Sequence, residues 1–242
     1  MTEQTKKRLR ILKLPGMLRA YEALLSSTPL QWTHDEFLAH LVDAEHEERY
    51  SRRVSRYLTR AHLRCNAVME RIDFNDDRNL NRSQISRLAE GTWIDKAQNI
   101  IVTGATGAGK SYLACALGHT ACVLEKKVIY FTMAKLFCFL REAKADNSYA
   151  RVVKNIASYH VLIIDDFGLE PFTPENRRAF LEILDDRYGL RSTIISTQLP
   201  VDVWLKVIGE PTVAEAIVDR LVHNAHRIQI DGSSYRSKGG IV

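Results

Sequence analysis

Gly104-Ala105-Thr106-Gly107-Ala108-Gly109-Lys110-Ser111 spells G-x-x-x-x-G-K-S, a spacing that builds a phosphate cradle. Glycines let the main chain fold closely around a polyphosphate, with amide N–H groups and a helix N-terminus aimed at the anion. Lys110 is placed to reach the terminal phosphates, the Ser111 hydroxyl to ligate Mg²⁺, and Tyr112 follows in the same nucleotide-binding stretch. The bland alternative is a structural Gly-rich turn. The flanks argue against it: Asn99-Ile100-Ile101-Val102-Thr103 suits a buried parallel strand, and Leu113, Leu117, Ala121 and Leu124 recur at helical spacing. ATP and Mg²⁺ are the expected cofactors. The chain has no Asn-Lys-x-Asp segment to read guanine.

Val161-Leu162-Ile163-Ile164 runs into Asp165-Asp166, which puts two carboxylates at the C-terminal edge of a buried strand, where ligands bind in parallel sheets. Asp165 is expected to hold Mg²⁺, and Asp166 to orient or deprotonate the water that attacks the γ-phosphate. Ser192-Thr193-Ile194-Ile195-Ser196-Thr197-Gln198 ends in polar residues at the same edge. Gln198 is the first candidate to sense the γ-phosphate, with Ser196 or Thr197 in its place if the register slips. This pattern marks P-loop ATPases in which an extra strand separates the phosphate-loop strand from the metal strand. Arg220, on an amphipathic segment with Ile217, Val218 and Leu221, is either a solvated arginine or an arginine finger for a neighbouring subunit's ATP. Arg236 follows the last strand and is either a phosphate contact within its own subunit or part of a loose tail.

Positioning these residues requires an α/β domain. From residue 99 the chain alternates strands, expected at 99–103, 128–132, 160–165, 192–197 and 226–230, with helices near 110–124, 133–144, 149–157, 175–188, 201–208 and 212–224. Such alternation predicts a parallel sheet with helices on both faces. Before residue 95 the signals are helical. Thr33-His34-Asp35-Glu36 reads as a capping box with Trp32 and Phe37 as its staple, opening a long helix, and one or two helices occupy residues 3–26 with a turn at Leu14-Pro15-Gly16. Glu45 with Arg49 and Glu48 with Arg52 form i,i+4 pairs worth about 0.3 kcal/mol each. The expected division is a helical N-terminal domain over 1–64 that binds DNA or a partner, a linker over 65–98 broken by an Asn/Asp-rich patch from Asp73 to Asn81, and an ATPase domain over 99–242.

With 45% apolar and 26% charged residues in 242, the composition is that of an ordinary water-soluble domain, and no apolar run approaches a membrane span. Arg10 and Lys13 interrupt the basic N-terminus before any secretory core can form, so a cytoplasmic location is expected. Cys65, Cys115, Cys122 and Cys138 lack C-x-x-C spacing and are read as reduced. The formal charge of +5 is modest but unevenly spread. Lys6, Lys7, Arg8, Arg10 and Lys13 crowd the start. Arg52, Arg56, Arg60 and Arg64 recur every fourth residue, interleaved with Tyr57 and His62, and such a stripe suits contacts to the phosphates of duplex DNA, or is simply a solvated face.

The phosphate loop, the run Leu162-Ile163-Ile164-Asp165-Asp166-Phe167-Gly168-Leu169, the strand from Ser192 through Gln198-Leu199-Pro200, and Ala216 to His226 with Ser234-Tyr235-Arg236 closely resemble the IstB-like ATPases. These are AAA+ helpers of insertion-sequence transposition related to the helicase loader DnaC and the initiator DnaA. The likeness covers nearly the whole chain, Leu14-Pro15-Gly16-Met17 included. It implies ATP-dependent oligomerisation on duplex target DNA, a neighbour's arginine completing each site, and recruitment of a partner transposase. A DnaC-like helicase loader is the alternative; a P-loop small-molecule kinase fits less well, lacking an arginine-rich lid insertion. Two departures stand out. Asp166 occupies the place where many AAA+ proteins carry glutamate, which predicts slow turnover. The chain ends about a dozen residues after the last expected strand, leaving no room for the C-terminal helical lid usual in AAA+ proteins.

Overall fold

The computed structural model describes residues 2–26, 32–74 and 78–232. Five apolar runs form the strands β1 (Asn99–Gly104), β2 (Val128–Thr132), β3 (Val161–Phe167), β4 (Ser192–Thr197) and β5 (Ala225–Ile230). They make one sheet in the order β2-β3-β4-β1-β5, every pair parallel. The strand expected between phosphate loop and metal strand is therefore β4. It sets β1 and β3 about 10 Å apart, two strand spacings.

Alternate side chains leave the sheet on opposite faces. Ile100, Val102, Ile163 and Ile194 pack with α6 (Lys110–Val123), while Ile101, Leu162, Ile164 and Ile195 pack beneath α7 (Met133–Ala145), α8 (Tyr149–Ser158), α9 (Pro174–Arg187), α10 (Trp204–Ile208) and α11 (Pro211–Val222). The run expected over 201–208 is split, a 3-10 turn at Val201–Val203 preceding α10. Helix starts follow local chemistry: Thr132, Thr173 and Asn81 side chains each accept an amide two or three residues into the helix they cap.

Residues 65–98 do not behave as the expected linker. They form α4 (Arg82–Ala89) and α5 (Thr92–Asp95), and Ile72, Ile85, Leu88, Trp93 and Ile94 are buried in the same cluster as α6. Trp93 Nε1 donates to the Leu88 carbonyl at 2.9 Å, satisfying its one polar atom inside that cluster. The chain divides into two compact units, Met1–Arg56 and Tyr57–Val242. Residues 75–77, within the Asn/Asp-rich patch, lie outside the described residues.

The first unit holds α1 (Thr2–Ile11), α2 (Pro15–Ser26) and most of α3 (His34–Ala61). The capping box forms, with Thr33 Oγ1 accepting the Glu36 amide at 3.2 Å and Glu36 accepting the Thr33 amide at 2.8 Å. Trp32 packs edge-on to His40, ring centres 5.0 Å apart. Gly16 is required at the turn into α2, because a Cβ there would lie 2.3 Å from the Ala44 carbonyl. Glu45, 6% exposed, caps that helix by accepting the Gly16 and Met17 amides at 2.8 and 3.3 Å. Burial alone would raise its pKa, but the Arg49 guanidinium and the two amides outweigh burial and lower it. Its stabilisation is therefore complete above the unfolded glutamate pKa of about 4.3 and is lost as pH falls through the lower folded value. Glu45→Ala is expected to lose about 1–3 kcal/mol of stability in urea denaturation at neutral pH.

Candidate nucleotide site

The phosphate loop bridges the end of β1 and the start of α6. Gly107 and Gly109 have φ of +80° and +96°, and Gly104 is approached so closely that a Cβ would sit 2.3 Å from the Ile230 carbonyl. At each of these three positions a side chain would be strained or would clash. Lys110, 8% exposed, folds back to donate to the Ala105 carbonyl at 2.8 Å. Tyr112 places its hydroxyl 3.5 Å from the Val68 amide and carbonyl.

Asp165 and Asp166 arrive from β3 through a bulge. Ile164 pairs with Ile195 but Phe167 with Thr197, and Asp166 adopts φ of +58°. A left-handed aspartate costs on the order of 1 kcal/mol, and strain of this kind concentrates at functional sites. Asp165 is fully buried. Its Oδ2 accepts the Tyr130 hydroxyl at 2.7 Å and its Oδ1 the Asp166 amide at 3.1 Å. Burial pushes its pKa up, but the nearby Ser196 and Ser111 hydroxyls, Tyr130 and the Asp166 amide together hold it below the usual carboxylate range. Ser111 and Asp165, the two expected Mg²⁺ ligands, are thus neighbours in space. Burial beside Asp165 raises the Tyr130 pKa, so Tyr130 stays a donor.

The end of β4 sorts the three sensor candidates. Gln198 Oε1 accepts from Thr106 Oγ1 at 2.6 Å, which puts it directly on the phosphate loop. Ser196 is fully buried beside Asp165, close enough to help lower its pKa, but its Oγ makes no hydrogen bond of good geometry and is left with capacity for a partner. Thr197 Oγ1 is consumed structurally, donating to the Phe167 carbonyl at 2.7 Å and accepting the Leu199 amide at 3.0 Å. The glycine cradle, the Ser111–Asp165 pair and the spare capacity of the Ser196 hydroxyl fit a nucleoside triphosphate with Mg²⁺.

Arg64 departs from its expected place on a DNA-facing stripe. Helix α3 ends at Ala61 and His62 turns the chain at φ of +52°, so Arg64 leaves the helical face. Its Nη1 lies 3.2 Å from Asp165 Oδ2 and 3.5 Å from Asp166 Oδ2. Arg52, Arg56 and Arg60 remain on α3 and exposed, with Arg52 Nε held by Glu48 at 2.5 Å. A groove of about 650 Å³ in the first unit is lined by Lys13, Arg49, Arg52, Arg53 and Arg56, tempered by Glu45 and Glu48.

Arg220 lies at the opposite edge of the sheet. Asn99, which opens β1, donates to the Arg220 carbonyl at 2.8 Å, whereas the phosphate loop leaves the other end of that strand, about 16 Å away. Arg220 Nε pairs with Asp185, and Nη1 donates to the Ala216 carbonyl at 2.9 Å. Beside it, Arg187, Arg191, His223 and Asn224 line a cavity of about 250 Å³. Arg236 lies outside the described residues.

Two contacts on the site escaped the sequence. Arg78 Nη2 donates to the Ala108 carbonyl of the phosphate loop at 2.7 Å, and an arginine in an Asn/Asp-rich patch carries no signal of that. Tyr130 was legible only as an apolar strand residue.

The profile of the family described as IstB-like ATP binding protein matches residues 7–240. A Sinorhizobium fredii protein named as an insertion sequence ATP-binding protein, y4pL, is 44% identical over 237 residues, covering 98% of this chain and 97% of its own. An IS21 ATP-binding protein of Pseudomonas aeruginosa is 29% identical over 94% of this chain and 86% of its own. Among solved structures, the DnaC helicase loader matches with a TM-score of 0.59 and 20% identity over 73% of this chain and 99% of that one. AMPPCP-bound DnaA from Aquifex aeolicus matches with a TM-score of 0.60 and 18% identity over 72% and 53%. These last two likenesses show a shared α/β fold. No helix among the described residues is long and apolar enough to cross a membrane.

Proposed function

Because the chain belongs to the family of IstB-like ATP-binding proteins associated with insertion sequences, we propose that it is an ATPase switch that oligomerises on duplex DNA and recruits or activates a partner transposase. The observation that carries this is the convergence of Ser111, Asp165 and the Thr106–Gln198 hydrogen bond on one phosphate loop. Residues 104–112 cradle the triphosphate, with Lys110 turning from the Ala105 carbonyl to the terminal phosphates. Ser111 and Asp165 would hold Mg²⁺, which would supply positive charge against the phosphoryl oxygens. Asp166, released from the strand ladder by its bulge, takes the proton of the attacking water, and Gln198 orients that water from the loop side. Arg52, Arg56 and Arg60 contact DNA phosphates, a mode that weakens steeply with salt.

Arg220 stands too far from its own loop to act there, so its role is at a neighbour's phosphates. Arg220→Ala is expected to bind a fluorescent ATP analogue with unchanged affinity while losing about 10³-fold in DNA-dependent turnover. Equal loss of both would make Arg220 structural. The proposal as a whole is tested by sedimentation with ATP, ADP or no nucleotide, with and without duplex DNA. Large assemblies only with ATP and DNA support it; a monomer under every condition overturns it. The DnaC-like fold favours a second reading, a helicase loader, in which a ring helicase rather than a transposase binds the ATP state.

A further inference from the structure

Two adjacent carboxylates, one of them fully buried, need a compensating cation. In this chain it comes from a residue about a hundred positions away. Arg64 Nη1 bridges Asp165 Oδ2 and Asp166 Oδ2. Because Oδ2 of Asp165 also takes the Tyr130 hydroxyl and Oδ1 takes the Asp166 amide, both oxygens of the residue suited to Mg²⁺ are already engaged. Oδ2, with two donors on it, has no lone pair to spare, and an ion binding there must displace one of them. Tyr130 sits on β2 within the buried ladder, 7% exposed, whereas the Arg64 side chain is 44% exposed and is held by these ion pairs at its tip.

We propose that Arg64 is the resident counter-ion of the aspartate pair and that Mg²⁺ brought in with ATP competes with its guanidinium for the same oxygens, so that loading the site releases Arg64. This rests on the Mg²⁺–ATP site proposed above. The backbone on either side is built to present the arginine and to survive its release. Leu63 packs onto α6 at Gly118, where a Cβ would lie 3.1 Å from Leu63 Cδ2 and 2.6 Å from Ile163 Cδ1, and Cys65 joins the same apolar cluster beside Cys115. The chain around Arg64 is therefore anchored by apolar contacts that do not depend on the ion pairs. The side chain can swing out while its neighbours stay in place. Two consequences follow: the aspartate pair resists metal alone, and the occupancy of the site is reported by a side chain three residues beyond the end of α3.

The competition is tested on the full chain with Mn²⁺ as probe and no nucleotide, read by electron paramagnetic resonance. Arg64→Ala and Arg64→Gln are expected to bind Mn²⁺ about tenfold tighter than the wild type, the scale on which one nearby charge shifts cation binding at a carboxylate. Arg64→Lys, which keeps the charge but not the bridging fork, is expected between them and wild type. Unchanged or weaker Mn²⁺ binding in both neutral variants, with unchanged melting, overturns the proposal. Release is tested in the wild type by phenylglyoxal labelling of Arg64, read by peptide mass spectrometry. Labelling is expected to rise severalfold with ATPγS and Mg²⁺ over ATPγS and EDTA. No rise, at saturating analogue, overturns the release step while leaving the nucleotide site intact. A wild type that binds no analogue removes the functional proposal instead, and the Mn²⁺ comparison still decides whether Arg64 guards the aspartates.

Discussion

Lys110→Ala is expected to cut ATP turnover by about 10²–10³-fold, the scale of losing one preorganised charge at a phosphoryl-transfer site, and to abolish ATP-dependent assembly. The reason lies in how the side chain is stored. Lys110 is nearly buried, and its ammonium donates to the Ala105 carbonyl within the loop it serves. A phosphate entering the cradle offers that ammonium a charged partner in place of a neutral one, and charge-assisted hydrogen bonds are roughly twice as strong. Alanine removes this gain and leaves the Ala105 carbonyl without the donor. Fluorescent-analogue titration and steady-state phosphate release check it; near-normal affinity together with near-normal turnover would refute the assigned role.

Asp166→Asn is expected to keep analogue binding within about twofold and to lower hydrolysis by about 10²–10⁴-fold, the contribution of a positioned general base. An amide is nearly isosteric with the carboxylate and, like aspartate, tolerates the left-handed conformation at φ of +58°. The bulge should therefore survive and the fold with it. What is lost is basicity. The variant should also trap the ATP state, so that assemblies persist in sedimentation where the wild type disperses as ATP is consumed. Loss of analogue binding in parallel with hydrolysis would mean that Asp166 holds the site together instead of activating water.

Much of the architecture was legible because it is local. The phosphate loop needs eight consecutive residues, and the apolar runs that became the five strands lie within two residues of their expected ends. The capping box at Thr33 and Glu36 likewise declares itself within four positions. Residues 65–98 were misread for the complementary reason. Their helices are eight and four residues long, too short for a periodicity to accumulate, and Ile85, Leu88 and Trp93 reveal their role only once α6 is there to receive them. Arg64 belonged by spacing to an every-fourth-residue stripe, and a single left-handed residue, His62, took it off that face. Its contact to Asp165 spans 101 positions, which no spacing rule reaches. The choice among Ser196, Thr197 and Gln198 turned on where β4 ends, and the sequence leaves strand ends uncertain by just that margin.

The separation of Arg220 from the phosphate loop, at opposite ends of β1, has a consequence for any assembly that uses both. A two-fold pair would use both edges of both copies at once and so close at two subunits, leaving nothing for a third to join; the large assemblies proposed above exclude it. The contact is then head-to-tail, closing into a ring or winding on as an open helix. In an open helix the two tips differ: one displays a nucleotide pocket that no neighbour completes, the other an arginine with nothing to serve. Growth and loss would proceed unequally at these tips, giving the array a direction along its track.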